Sequence, residues 1–131
     1  MKSIFFDTGN LGAEPILRDV PVDGGGSTNI INMRVRFDRP KLKQEGGYND
    51  EGGFWADVSL IGKRAAKLSS LLHTGARVAV LGELTQEEYV KDGETRQAMK
   101  ISASFIGPDP IAIDTIKFRT RNSESIESAT T

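Results

Sequence analysis

Phe54-Trp55-Ala56-Asp57-Val58-Ser59-Leu60-Ile61-Gly62-Lys63, running on through Gly75 to Val78-Ala79-Val80-Leu81-Gly82-Glu83-Leu84, is the stretch (residues 54–84) on which the architecture turns. Phe54, Ala56, Val58 and Leu60 share one parity; Trp55, Asp57, Ser59 and Ile61 share the other. That alternation marks a half-buried strand. The first set suits a core. The second puts an indole on the open face beside two small polar residues. Gly62 ends the strand, and the period then changes. Ala65, Leu68, Leu71 and Leu72 fall at helical spacing, with Lys63, Arg64 and Lys67 on the remaining surface. Gly75 stands where a helix would stop in a left-handed cap. Val78 and Val80 resume the period of two, and Gly82 permits a bend or bulge. Strand, short helix and bent return strand predict a small closed β-barrel with a helix plugging one end and one face left open to a ligand.

Upstream, Ile31, Met33, Val35 and Phe37 alternate with Asn32, Arg34 and Arg36, which predicts a strand with one apolar and one basic face, ended by Pro40. Residues 41–53 carry Gly46-Gly47, Gly52-Gly53 and Tyr48 without periodicity and predict a long hairpin loop. Ile4-Phe5-Phe6 begin a first strand that Gly9 and Gly12 interrupt, with Gly9-Asn10 as a turn or bulge. Residues 15–20 form a second extended piece, and Gly24-Gly25-Gly26 a mobile loop. Downstream, Lys91-Asp92-Gly93-Glu94 carries the Asp-Gly signal of a two-residue hairpin turn. On the returning strand Met99, Ile101, Ala103 and Phe105 share the apolar parity, and Gly107-Pro108-Asp109-Pro110 breaks it. Ile111, Ile113, Ile116 and Phe118 make 108–121 an extra segment, a strand or a partner contact. Residues 122–131, rich in Ser, Thr and Glu, predict a disordered tail.

A chain of 131 residues fits one domain. No apolar run approaches the length of a membrane span, and the start is too soon polar for a secretory signal. There are no cysteines, which excludes disulfides and thiolate metal sites and makes a reducing cytoplasm the expected compartment. Fourteen glycines among strand-like segments favour an all-β class with a minor helix.

The formal charge is −1, but its distribution says more. Within residues 32–43, Arg34, Arg36, Arg39, Lys41 and Lys43 face Asp38 alone, and Lys117, Arg119 and Arg121 form a second basic cluster. Arginines two apart on a strand whose other face is core suit phosphate tracking, which needs cations along a groove and no fixed geometry. The alternative is a solvated sheet face. Lys63, Arg64, Arg96 and Lys100 are secondary candidates. Trp55, Tyr89 and the loop residue Tyr48 are candidate stacking platforms, since every base has a π-face; the alternative is core or interface for Trp55 and Tyr89, and plain solvation for Tyr48. His73 stands alone at a helix end and is expected to cap carbonyls. The serines lack a nucleophile elbow, the carboxylates are scattered, and the glycine run lacks a following Gly-Lys-Ser. Neither an enzyme nor a cofactor or metal site is expected.

Four blocks resemble the bacterial-type single-stranded DNA-binding proteins, an oligonucleotide/oligosaccharide-binding (OB) fold family. Gly9-Asn10-Leu11-Gly12-Ala13-Glu14-Pro15-Ile16-Leu17-Arg18 is similar to the family's first hairpin; Trp55 to Lys63 to its tryptophan strand closing in Gly-Lys; Leu72 to Leu84 to its Leu-x-x-Gly-x-x-Val-x-Val-x-Gly-x-Leu stretch; and Lys91-Asp92-Gly93 with Arg96 to the next hairpin. The likeness spans residues 4–106 in order and spacing. It implies a five-stranded OB barrel over residues 1–107 with one short helix, long hairpin loops and a flexible tail. It also implies sequence-tolerant binding of single-stranded DNA in replication, recombination or repair, and a homotetramer or homodimer. It favours Trp55 as a stacking platform; with the candidates read from the residues, the expected DNA-binding set is Trp55, Arg34, Arg36, Arg39, Lys41, Lys43, Tyr48, Lys63, Tyr89 and Arg96. Departures are Ile61 where the family carries a second aromatic, Thr85-Gln86-Glu87 where it often carries arginines, and no acidic Ile-Pro-Phe tip in residues 122–131. These imply weaker DNA binding, no tip-dependent recruitment, and a plasmid, phage or mobile-element relative. The alternative reading is an OB-fold accessory factor of replication or conjugation that binds a protein and DNA only weakly.

Overall fold

The structure, a computed structural model, describes residues 3–38, 40–42, 48–50 and 53–120, with the backbone alone for 40–42 and 48–50. The strands are β1 (Ser3–Leu11), β2 (Ile16–Pro21), β3 (Ser27–Phe37), β4 (Pro40–Leu42), β5 (Tyr48–Asp50), β6 (Phe54–Ile61), β7 (Arg77–Lys91) and β8 (Glu94–Pro108), with the helix α1 (Lys63–Leu71) between β6 and β7. The main sheet runs β1-β7-β8-β6-β3-β2, and β1 also pairs with β3. That last pairing closes β1, β7, β8, β6 and β3 into the expected five-stranded barrel, with β2 flanking β3. β6 and β8 run parallel; the other pairings are antiparallel.

Alternation fills the barrel. Ile31, Met33, Val35 and Phe37 from β3, Ala56, Val58 and Leu60 from β6, Val78 and Val80 from β7 and Ile101 from β8 are all buried. Ala65 and Leu68 of α1 join the same core and plug one end, packed against β3. At the other end Phe37 meets Phe5 edge-on, ring centroids 4.8 Å apart, and lies 5.4 Å from Phe54. The Asp92-Gly93 turn forms as expected, with φ of 54° and 78° between the paired Lys91 and Glu94.

Several expectations change. Leu71 is exposed, while Leu72, just past the helix, is buried. Gly75 does not cap α1: the chain turns extended at Leu72, and Gly75 (φ 89°) lies in the following turn, its N–H donating to Leu11 O at 2.8 Å. Gly9 makes no turn. β1 runs unbroken to Leu11, and Gly9 is where it crosses β3 so closely that a Cβ would lie 2.4 Å from Arg36 O. The bulge at Gly82 forms, pairing Leu81 with Phe105 but Gly82 with Ala103. The extra residue flips the parity beyond it, so Ile106 is buried and Phe105, expected in the core, is 49% exposed. β3 ends at Phe37, and Pro40 opens β4, which pairs with β5, so the described parts of the 41–53 stretch are paired strands. After β8 a 3-10 turn at Pro110–Ala112 leads to a segment without regular structure as far as Thr120, not a strand. The tail 122–131 lies outside the described residues.

Candidate nucleic-acid interface

Because side chains alternate along a strand, the outward residues of β3, β6 and β8 line up in rungs. Arg34 pairs with Asp57 and Asp57 with Lys100; Asn32 pairs with Ser59 and Ser59 with Ser102; Arg36 pairs with Trp55. Two hollows lie on this face. One, about 550 Å³, is lined by Glu14, Asn32, Arg34, Asp57, Ser59 and Lys100 among others. The second, about 390 Å³, is lined by Arg34, Trp55, Asp57, Tyr89, Gln97 and Met99 among others. Arg34 and Asp57 line both, so the two hollows adjoin at this pair on the outside of the barrel.

Trp55 is 42% exposed, an outward indole beside inward Phe54 and Ala56. The rim of its six-membered ring abuts Gly12: a Cβ there would lie 2.4 Å from Cζ3 and 2.5 Å from Cη2. The Arg34 guanidinium sits 5.6 Å from the ring centroid, within cation–π range. The same guanidinium donates from Nη1 to Asp57 Oδ1 at 2.8 Å. Carboxylates stand beside the other cations too: Lys100 Nζ lies 3.0 Å from Glu87, Arg96 3.6 Å from Glu94 and Arg36 3.7 Å from Asp38. Sequence windows counted Asp38 alone against this basic strand. The fold adds Asp57 from a neighbouring strand.

Of the expected site residues, the structure brings Arg34, Trp55 and Tyr89 into one hollow. Arg36 sits next to Trp55 in register, and Arg96 is opposite Tyr89 on the β7–β8 hairpin. Lys63 is not with them: it opens α1 beyond the far end of β6, about 20 Å along the strand from Trp55. Lys41 and Tyr48 lie on β4 and β5, described in backbone only, and Arg39, Lys43 and Arg121 lie outside the described residues. Parity already put Asp57 and Ser59 on the open face beside the indole, but neither they nor Gly12 and Ser102 were candidates for the site; the Arg34 partner of Asp57 and the Ser59–Ser102 rung exist only once β3, β6 and β8 are in register.

Glu14 fastens the loop that supports Trp55. Its carboxylate accepts from His73 Nδ1 at 3.0 Å and from the N–H and Oγ1 of Thr74, the latter at 2.8 Å. His73 therefore bonds across loops and does not cap helix carbonyls. The hydrogen bond from His73, then those from Thr74, lower the Glu14 carboxyl to about 2. A depressed folded-state value means that the clasp stabilises the fold above the ordinary carboxyl range, near 4.5, and loses that contribution as pH falls toward 2. Glu14→Gln should therefore show a smaller drop in urea midpoint between pH 5 and pH 2.5 than the wild type. Equal drops would mean that the clasp contributes nothing in solution.

Residues 1–109 match the family described as the single-strand binding protein family. A single-stranded DNA-binding protein of Thermus aquaticus is 29% identical over 103 residues, covering 79% of this chain and 37% of the relative. One from Aquifex aeolicus is 28% identical over 106 residues, covering 81% and 69%. The chain thus spans as little as 37% of the length of the curated relatives it matches. The crystal structure of a small single-stranded DNA-binding protein from Streptomyces coelicolor has the same fold, with a TM-score of 0.69 at 22% identity over 83% of this chain and 95% of that one. A deletion mutant of the Thermus aquaticus protein gives 0.57 at 26% identity over 82% and 50%. Among the described residues no helix is long and apolar enough to cross a membrane.

Proposed function

The chain belongs to the single-strand binding protein family, and we propose that it binds and protects single-stranded DNA, with little sequence preference, during replication, recombination or repair. The observation that carries this is the hollow in which an outward indole, an arginine and a tyrosine meet: Trp55, Arg34 and Tyr89. Bases stack on Trp55 and Tyr89 while Arg34, Arg36, Arg96 and Lys100 neutralise phosphates. Such work is done by binding and needs no catalysis, and it places the protein in the cytoplasm. Residues 1–107 form the binding domain and 108–121 an appended segment. The relatives are named for DNA binding, which does not favour an accessory factor that binds DNA only weakly.

A second copy of the chain fits the barrel's other side. Phe6, Leu81 and Phe105 form a cross-strand row over β1, β7 and β8, with Ile4 beyond it at 83% exposure. Beside this row the outer edge of Ser3–Thr8 pairs with no strand among the described residues. An apolar face and an open edge together suit an isologous homodimer or a homotetramer built from one.

The test is a titration with oligo-dT at low salt, following the single tryptophan, repeated at rising salt and with duplex DNA. Quenched Trp55 emission, preference for single strands and weakening with salt are expected. Unchanged emission with no retention of the oligonucleotide would end the proposal. Sedimentation of the same samples counts the subunits, and a monomer at micromolar concentration would remove the second copy.

A further inference from the structure

We propose that Asp57 is a built-in competitor for DNA phosphate: it holds Arg34 beside the Trp55 indole, and a single strand must take the guanidinium from it. This rests on the DNA-binding reading above and adds to it what limits the affinity. Arg34 is bonded to Asp57 at 2.8 Å and lies 5.6 Å from the indole centroid, so in the free protein it occupies space that a stacked base would use. Both side chains are about half exposed, 56% and 52%, so the pair can open into water. Both line each of the two hollows, so any strand that crosses from one hollow to the other passes them. The arrangement repeats one strand over, where Lys100, in register with Asp57, is paired with Glu87 at 3.0 Å.

The physics is an exchange. A phosphate that binds a free arginine releases one condensed counterion from the DNA, and this release drives binding at low salt. A phosphate that takes Arg34 from Asp57 leaves a bare carboxylate in the groove, and that carboxylate takes a cation back. The net release from this contact falls toward zero, and the stranded carboxylate also repels the phosphate. An exposed ion pair is weak in water, so the exchange proceeds but gains little. Asp57 thus lowers both the affinity and its dependence on salt.

Asp57→Asn keeps the size of the side chain and an acceptor oxygen for Arg34 while removing the charge. With oligo-dT it should bind about fivefold tighter than the wild type at low salt. The slope of log K against log salt should steepen by about 0.7, the value of one more phosphate contact on a single strand. Asp57→Ser, which cannot reach Arg34, should do the same. Adding Arg34→Gln to Asp57→Asn should erase the gain, which a general effect of net charge would not do. Binding by the wild type with no gain and no change of slope in either Asp57 variant overturns this inference alone. Binding by an Asp57 variant where the wild type shows none supports it. No binding by wild type or variants overturns the DNA reading along with it. Urea midpoints close to the wild type confirm that the variants are folded.

Discussion

Replacing Trp55 with alanine should lower the affinity for oligo-dT by about fivefold to 150-fold, the loss expected from a stacking platform that contributes ~1–3 kcal/mol per base. The fold should hardly notice. The side chain projects from β6 away from the core and is 42% exposed, with Gly12 and the Arg34 guanidinium among its neighbours. Truncation removes surface contacts and none of the buried core. Trp55→Phe should recover most of the binding, because an aromatic face is what a base requires, whereas Trp55→Leu should not, although it is apolar. Anisotropy of a labelled oligonucleotide measures all three, since the intrinsic reporter is lost with the indole. A Trp55→Ala affinity within twofold of the wild type would assign the strand's path to another surface. The Phe and Leu variants separate stacking from plain hydrophobic contact, which area burial alone would not distinguish.

Much of this was legible because period-two alternation is a local property. Residues 31–37 and 54–60 named their own core faces, and with them the outward placement of Arg34, Arg36 and Trp55. The Asp92-Gly93 turn was legible for the same reason: its positive φ angles are a demand on two adjacent residues. What escaped depended on partners far along the chain. Gly9 looked like a turn because glycine permits one; its role is to clear Arg36 O on a strand that arrives later. Gly82 announced a bulge but not its consequence. Which residue β8 adds opposite it is fixed by pairing, and that choice sends Phe105 out and Ile106 in. The charge of the site was misjudged most. A window around Arg34 contains one acid, but the carboxylate it bonds is 23 residues away. Summing charge along the chain gave a basic stripe; across the described part of the sheet Arg34, Arg36, Arg96 and Lys100 each stand beside a carboxylate, as suits a chain of net charge −1. A shallower salt dependence than the arginine count suggests follows from the sheet, not the sequence.

Phe37→Ala should have the opposite character: a stability loss of about 3–5 kcal/mol, the usual cost of removing a fully buried aromatic ring. Phe37 is completely buried where β3 meets two neighbours, paired with Gly9 of β1 and Phe54 of β6. Its ring packs against Phe5 and Phe54, and on the Gly9 side there is no side chain to fill the gap. The cavity therefore stays largely open, at the seam where the barrel is closed. Against a total stability of ~5–15 kcal/mol for a domain, the loss is a large share. Urea unfolding should show a lower midpoint with an unchanged slope, the sign of a less stable but equally compact fold. At urea concentrations where the variant is still folded, affinity for oligo-dT should stay near that of the wild type, because the groove residues are on the outer face of the same strands. A loss under 1 kcal/mol would mean that this end of the barrel is held by something other than the Phe5-Phe37-Phe54 cluster. Phe54 and Trp55 are adjacent in the chain and differ only in parity. A core variant that weakens folding but not binding, set beside an indole variant that weakens binding but not folding, tests whether that parity divides the two tasks.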